Sequence, residues 1–333
     1  MALSLPEPLL ASLEQSTGFD RAAFISAHTT QPAAISIRYN DIKLATFKGA
    51  LPTDKISWSP YGYYLDKRPS FTEDPLFHGG LYYVQEPGSQ FLWTALSQIH
   101  GRDEPVRVLD LCGAPGGKST LLAGYFRGGL IVANEVIKSR AGVLVENCMK
   151  WGTGNIVVTC NDPAHFQRLQ GYFDVILIDA PCSGSGLFRK DPEAINEWSP
   201  DMVTMCSKRQ QRIIKDVLPA LKEGGSLIYA TCSYSPEEDE KIMDWLRLEQ
   251  RMENVPLSIE NEGITVVKGM REPAGTSRSG PEGYKFFPDK VRSEGFFLSV
   301  FRKSTPEIPV YNTGNGLLPI SAAERKVLAP WVI

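Results

Sequence analysis

From Pro105 to Phe301 the chain repeats one rhythm: a short apolar run, a glycine-rich turn, then a helix-length segment. Few folds accommodate that rhythm. A β-branched run without polar alternation has to be covered on both faces, and helices lying between parallel strands supply the cover. Strands are expected at Val106–Leu111, Leu130–Glu135, Asn155–Thr159, Phe173–Ile178 and Ser226–Ala230, with a late one at Phe296–Phe301. Helices are expected over Ser119–Phe126, from about Ser139 to Trp151, and over Met202–Leu221. Another is expected to open at Pro236, where Glu237, Glu238, Asp239 and Glu240 suit the positive end of a helix dipole. The fold class is therefore α/β, a doubly wound parallel sheet whose ligands sit beyond the carboxyl ends of the strands.

The first eighty residues have a different texture. Ala34–Tyr39 alternates as a strand does, and an aromatic, proline-bearing stretch follows at Trp58–Tyr64 and Arg68–Phe71. Residues 1–80 read as a small α/β domain of RNA-binding type, residues 81–304 as the main domain, and residues 305–333 as a linker or the start of a further module. Exposed Tyr, Trp and Arg side chains can stack on RNA bases; the same rings can equally pack the junction with the next domain.

Composition sets outer limits. With 42% apolar and 22% charged residues and a net charge of −3, the 333-residue chain is no disordered polyelectrolyte, nor does it advertise a polyanionic partner. The first residues lack a secretory signal, and no apolar run approaches the roughly 20 residues of a membrane helix, so a cytoplasmic monomer is the default. None of the six cysteines forms a C-x-x-C pair, so no structural metal is expected, and each begins as a small buried apolar residue.

The segment Cys112-Gly113-Ala114-Pro115-Gly116-Gly117-Lys118-Ser119-Thr120 leaves two readings open. Gly117-Lys118-Ser119 fits the end of a nucleotide-binding P-loop, and Phe173–Asp179 could serve as its magnesium-holding strand, but Cys112 stands where the first glycine is required. The dinucleotide fingerprint G-x-G-x-x-G is absent. The favoured alternative is a turn against a nucleoside cofactor. In it Glu135, about twenty residues on, takes the ribose hydroxyls and Asp162 the adenine end.

Two further strand ends carry cysteine: Asp179-Ala180-Pro181-Cys182-Ser183-Gly184 and Thr231-Cys232-Ser233-Tyr234. Successive strands in such sheets are often neighbours, which would gather Asp179, Cys182 and Cys232 around one crevice. That set suits pyrimidine methylation. Carbon 5 of cytosine is a poor nucleophile until a thiolate adds at carbon 6 and turns the ring into an enamine. A carboxyl such as Asp179 can stabilise the ring near N3, and Lys118 can tune the ionisation of that carboxyl or of a thiol. The base has to leave its stack to be reached, so an RNA loop or opened helix is the expected substrate.

Leu111–Lys118, Asp179–Gly184 and Thr231–Ser233, with Tyr63–Ser70, Tyr82–Glu86 and Gly295–Phe297, together resemble the NOP2/Sun RNA cytosine-C5-methyltransferases, nearest to their bacterial RsmF-like ribosomal RNA branch. The resemblance runs from about residue 35 to 303 and implies a Rossmann-like methyltransferase sheet with S-adenosyl-L-methionine as cofactor. It further implies small-subunit ribosomal RNA as substrate, with transfer RNA the alternative. By it, Cys112 to Lys118, Glu135, Asp162 and Asp179 line the cofactor site, with Arg140 near cofactor or RNA. Cys232 is the nucleophile and Cys182 assists its release. An alanine, which some relatives carry in place of Gly113, is expected to be harmless.

Elsewhere bland readings hold. Lys208, Arg209, Arg212 and Lys215 make one helix face positive, which is more often solvated than bound to phosphate. Cys148, Cys160 and Cys206 are read as structural, and the four histidines have no triad or metal spacing.

Overall fold

The computed structural model describes residues 4–260, 263–270 and 280–304. Residues 305–333, expected to form a linker or further module, lie outside the described residues.

Strands Ser36–Tyr39 (β1), Gly62–Tyr64 (β2) and Tyr82–Val84 (β3) form a small antiparallel sheet in the order β2-β1-β3. Its third strand lies beyond the boundary expected at residue 80. The main sheet holds Arg107–Asp110 (β4), Leu130–Asn134 (β5), Ile156–Thr159 (β6), Phe173–Asp179 (β7) and Leu221–Thr231 (β8), all parallel, in the order β6-β5-β4-β7-β8. Glu253–Asn254 (β9), Thr265–Lys268 (β10), Glu282–Phe286 (β11) and Phe296–Arg302 (β12) extend it on the β8 side, β12 pairing antiparallel with β8. Val108, Leu109, Val175, Ile176, Leu177, Ile178 and Ile228 are fully buried, as strands covered on both faces must be. The cysteine-bearing strands are neighbours, with Asp179 opposite Ala230.

Three boundaries in the main domain differ from expectation. The helix that begins at Pro200, capped by Ser199, ends at Val217, because Pro219 in the following turn cannot continue it. The chain enters β8 already at Leu221, five residues before the expected Ser226, and Gly224, with a φ of 70°, lies inside that strand. The helix expected to open at Pro236 begins only at the last residue of the acidic run. The helix spans Glu240–Leu248, and Glu238 and Asp239 turn inward ahead of it, both fully buried.

The small sheet is bolted to the main one. Arg38, 1% exposed, donates to Gln85 Oε1 at 2.6 Å and Thr120 Oγ1 at 2.8 Å and lies over the Trp151 ring at 4.4 Å. Trp58 packs edge-on against Phe286, its indole N–H donating to the Pro87 carbonyl. Tyr63 and Tyr64 are buried too. Of the two readings of the aromatic stretch, packing is the one realised at these rings. Each contributes about 1.5–3 kcal/mol of burial. Helices Glu7–Leu13 and Arg21–Thr30 lay Leu9, Leu13 and Phe24 against Phe188, Trp198, Tyr234 and Phe287, behind the loop that follows β8.

Candidate active site

Because β4, β5, β7 and β8 are parallel neighbours that end at one edge of the sheet, their terminal loops surround a single cleft with two adjoining lobes of about 270 and 250 Å³. Cys112, Ala114, Asp179, Leu187 and Cys232 border both. Glu135, Val136, Ile137, Arg140, Asp162, Pro163 and Cys182 line the first; Tyr83, Gln85, Gly113, Pro115, Gly117, Lys118, Lys190 and Phe296 line the second.

The two cysteine loops meet at their sulfurs. Cys182 Sγ lies 3.1 Å from Cys232 Sγ, and both thiols are free. The contact with Cys232, then burial, then the negative charge of Glu238 push the Cys182 thiol well up, so Cys182 stays protonated. Asp179 Oδ2 accepts from Lys118 Nζ at 2.7 Å. Burial alone would lower Lys118. The charges of Asp179, Cys232 and Asp110 outweigh it and raise the lysine above its usual value, leaving an ammonium beside the sulfur pair.

The turn after β4 is built for close packing. Gly113 N–H donates to the Asn134 carbonyl at 2.7 Å, and a Cβ at Gly113 would come 2.8 Å from Ser119 Oγ. Alanine there is therefore not free, contrary to expectation, because Ser119 is already held by Asp110 Oδ2 at 2.6 Å. Gly116, at a φ of 114°, faces Leu144 and Asn147 of the helix Lys138–Trp151 and does not border the cleft. Cys112 lines the cleft as a neutral thiol, its ionisation pushed far up by burial. Arg140 donates to the Ala114 carbonyl at 3.0 Å and pairs with Glu135 Oε2 at 3.3 Å.

Glu135 is the most informative of the expected ligands. Its Oε1 accepts from Ile137 N–H at 2.9 Å, while Oε2, buried in the wall of the first lobe, accepts no hydrogen bond from the described residues. Apart from the ion pair with Arg140 at 3.3 Å, that buried oxygen keeps its capacity to accept a hydrogen bond from something entering the lobe. Asp162 is partly spent on structure, its Oδ1 capping Ala164 N–H at 3.0 Å.

A family model described as 16S rRNA methyltransferase RsmB/F matches residues 98–302 of the 333. The chain belongs to the RsmB/F family. A second, described as the N-terminal domain of 16S rRNA methyltransferase RsmF, matches residues 5–87. "Ribosomal RNA small subunit methyltransferase F" of Pectobacterium atrosepticum is 35% identical over 319 residues, 91% of this chain and 63% of the relative, so the chain spans under two thirds of that relative's length. A methyltransferase homolog protein from Pyrococcus horikoshii superposes with a TM-score of 0.67 at 28% identity, covering 90% of this chain and 100% of the other. NSun6 from the same organism, solved with SFG, gives 0.71 at 19% over 91% of this chain and 100% of its own, and supports the fold.

In this RsmB/F-family chain several residues at the site escaped sequence reasoning. Arg209 and Arg212, read as a solvated stripe, border the first lobe, and Lys215 covers the Trp245 ring. Glu238 joins the two cysteine loops. Lys285 is fully buried, 3.1 Å from Asp239 and 2.9 Å from Glu240, beneath the Cys232 loop. Cys148 and Cys206 are buried as expected, but Cys160 is exposed at the end of β6. No helix among the described residues is long and apolar enough to cross a membrane.

Proposed function

We propose that the chain transfers a methyl group from S-adenosyl-L-methionine to carbon 5 of a cytosine in RNA, small-subunit ribosomal RNA by its relatives' names, through a covalent bond between Cys232 and carbon 6. The observation that carries this reading is the sulfur pair at 3.1 Å beside an aspartate–lysine ion pair. A P-loop ATPase accounts for neither: Lys118 is engaged with Asp179 rather than turned to a phosphate cradle, and both sulfurs would be idle.

The first lobe fits the cofactor. Glu135 offers an unsatisfied oxygen for ribose hydroxyls, Val136, Ile137 and Pro163 an apolar seat, and Asp162 a polar edge. Bound there, S-adenosylmethionine supplies an electrophilic methyl group. The protein's part is to make the base nucleophilic. Cys232 borders both lobes, so a base entering the second lobe between Tyr83 and Phe296 meets it. As the Cys232 sulfur bonds to carbon 6, the π pair moves to carbon 5. As negative charge develops on the ring, Lys118 Nζ passes a proton through Asp179 to N3, and the proton returns when the ring is restored. Carbon 5 takes the methyl group as S-adenosylhomocysteine leaves; it then loses its proton to solvent, that C–H pair restores the ring double bond, and the sulfur–carbon 6 bond breaks, returning its pair to Cys232. The protonated Cys182 thiol, in contact with that sulfur, assists the release. In this reading the small sheet is part of the catalytic unit, since Tyr83 and Gln85 line the base lobe.

The test is a pair of variants assayed on ribosomal RNA with labelled cofactor. Cys232→Ala is expected to abolish transfer, and Cys182→Ala to accumulate protein bound to RNA, seen as a shifted band in a denaturing gel. A Cys232→Ala protein that still methylates, with a Cys182→Ala protein that is inactive and forms no adduct, overturns the assignment.

A further inference from the structure

The residue following each sulfur is a serine, and both serines are held by one carboxylate. Glu238 Oε2 accepts from Ser183 Oγ at 2.5 Å and from Ser233 Oγ at 2.6 Å; Oε1 accepts from Ser183 N–H at 2.8 Å and from Gln210 Nε2 at 3.1 Å. We propose that Glu238 is a positioning residue that fixes the spacing of the two sulfurs by clamping the residue after Cys182 and the residue after Cys232 to the same buried group. This extends the covalent mechanism proposed above and rests on it for its catalytic consequence, though not for the clamp itself.

The chemistry of the contacts favours an ionised carboxylate. All four partners donate, and only an acceptor-only group satisfies four donors at once. Burial pushes the Glu238 carboxyl up, and the hydrogen bonds from Ser183, Ser233 and Gln210 work against that. Glu238 is itself anchored: its N–H donates to the Ser235 carbonyl at 3.0 Å, and its own carbonyl accepts from Tyr229 OH at 2.7 Å. The carboxylate thus works from the rigid end of β8 and reaches across to the loop after β7. Direct ties between the two cysteine loops also exist, Gly186 N–H to the Cys232 carbonyl at 2.9 Å, Tyr234 N–H to Ser185 Oγ at 2.9 Å and a Ser183–Ser233 hydroxyl contact at 3.4 Å, but among the described residues Glu238 is the carboxylate that holds the residue after each sulfur.

Replacement by glutamine separates the clamp from mere packing. The amide oxygen has to face Ser183 N–H and Gln210 Nε2, so the amide nitrogen faces the two hydroxyls. Ser233 Oγ already accepts from Ser235 N–H at 3.0 Å and loses the acceptor that held its proton. A displacement of about 1 Å at a reacting group costs about 100-fold in rate.

Two measurements on the full chain test this. In protein without RNA, diamide oxidises the Cys182–Cys232 pair to a disulfide, the two thiol protons and electrons passing to diamide. The rate, followed by mass spectrometry of the cross-linked peptide, reads sulfur proximity directly. Glu238→Gln is expected to slow this closure about tenfold and to lower methyl transfer to deproteinised small-subunit ribosomal RNA about 100-fold. The affinity for S-adenosylhomocysteine and the KM for RNA are expected to stay within about twofold of the wild type. If Glu238→Gln does not fold, Ser233→Ala carries the same expectations. Closure and turnover at the wild-type rate overturn the clamp, as does a loss of turnover with closure unchanged. A wild-type protein that closes rapidly but never methylates overturns the proposed reaction instead, and slowed closure in Glu238→Gln would still uphold the clamp.

Discussion

The orphan oxygen of Glu135 allows a prediction with a definite sign for both binding and stability. In Glu135→Gln the carbonyl oxygen has to keep the place of Oε1, because Ile137 N–H donates to it at 2.9 Å and an amide nitrogen cannot accept. The NH₂ group therefore takes the place of Oε2, and a ribose hydroxyl there loses the charged acceptor for its proton. A hydrogen bond to a charged group is worth about 1.5–3 kcal/mol, which is about 10–150-fold in affinity. The unliganded protein should hardly notice. The pairing of Oε2 with Arg140 at 3.3 Å involves a half-exposed guanidinium and is worth about 0–1 kcal/mol, and losing it is offset by removing a buried oxygen that accepts nothing. Calorimetric titration with S-adenosylhomocysteine, alongside melting of the unliganded protein, is the assay. The expected outcome is an affinity reduced about 10–150-fold with a melting shift of no more than about 3 °C. An affinity within about threefold of the wild type would refute the assignment of Glu135 to the cofactor, and a large melting shift would reduce it to a structural residue.

The remaining predictions concern the walls of the cleft. A Cβ at Gly186 would come 2.6 Å from the Gly295 carbonyl oxygen and 2.7 Å from that of Cys232, so Gly186→Ala forces the nucleophile's loop outward. Such overpacking costs about 1–3 kcal/mol, and methyl transfer is expected to fall further than the melting temperature implies. Transfer at the wild-type rate would sink the idea. Asp110 is fully buried beneath the turn after β4, and burial pushes its carboxyl from 3.8 to about 7. Between those values the folded chain keeps a proton that the unfolded chain has lost, so raising the pH through that window destabilises the fold. Melting curves of wild type and Asp110→Asn are expected to diverge on going from about pH 5 to about pH 8, the wild type losing ground; parallel curves would contradict it.

Strand ends were legible in the sequence for a reason that also exposed the chemistry. Runs such as Phe173–Asp179 carry no alternation, so both their faces and their neighbours are constrained, and the polar residues that interrupt them must fall at the ligand-bearing edge. Cys182 and Cys232 could be paired on that logic alone, before any distance was known. The aromatic stretch offered no such handle. Trp58 is as consistent with a stacked base as with a buried joint until Phe286, more than two hundred residues away, is brought beside it. The positive stripe at Arg209 and Arg212 shows a similar limit, since helical periodicity defines a face without saying what lies opposite.

Glu238 was missed through a competing rule that is itself sound. Acidic residues before a helix favour its dipole, and Glu237-Glu238-Asp239-Glu240 was counted for that. Yet solvent-facing dipole partners do not need to be buried, and Glu238 and Asp239 both are, one holding two serines and the other facing Lys285 at 3.1 Å. A local signal did exist: of the three Cys-Ser dipeptides, the one at 206–207 lies inside a helix, while those at 182–183 and 232–233 each follow the end of a strand. Two hydroxyls in the same place after two neighbouring strands can share an acceptor; Asp179 near the first pair is engaged with Lys118, which leaves the carboxylates of the acidic run near the second. Thiols alone do not show what holds them in place, and the buried carboxylate that grips the residue after each of them comes from the segment that looked most like a helix cap.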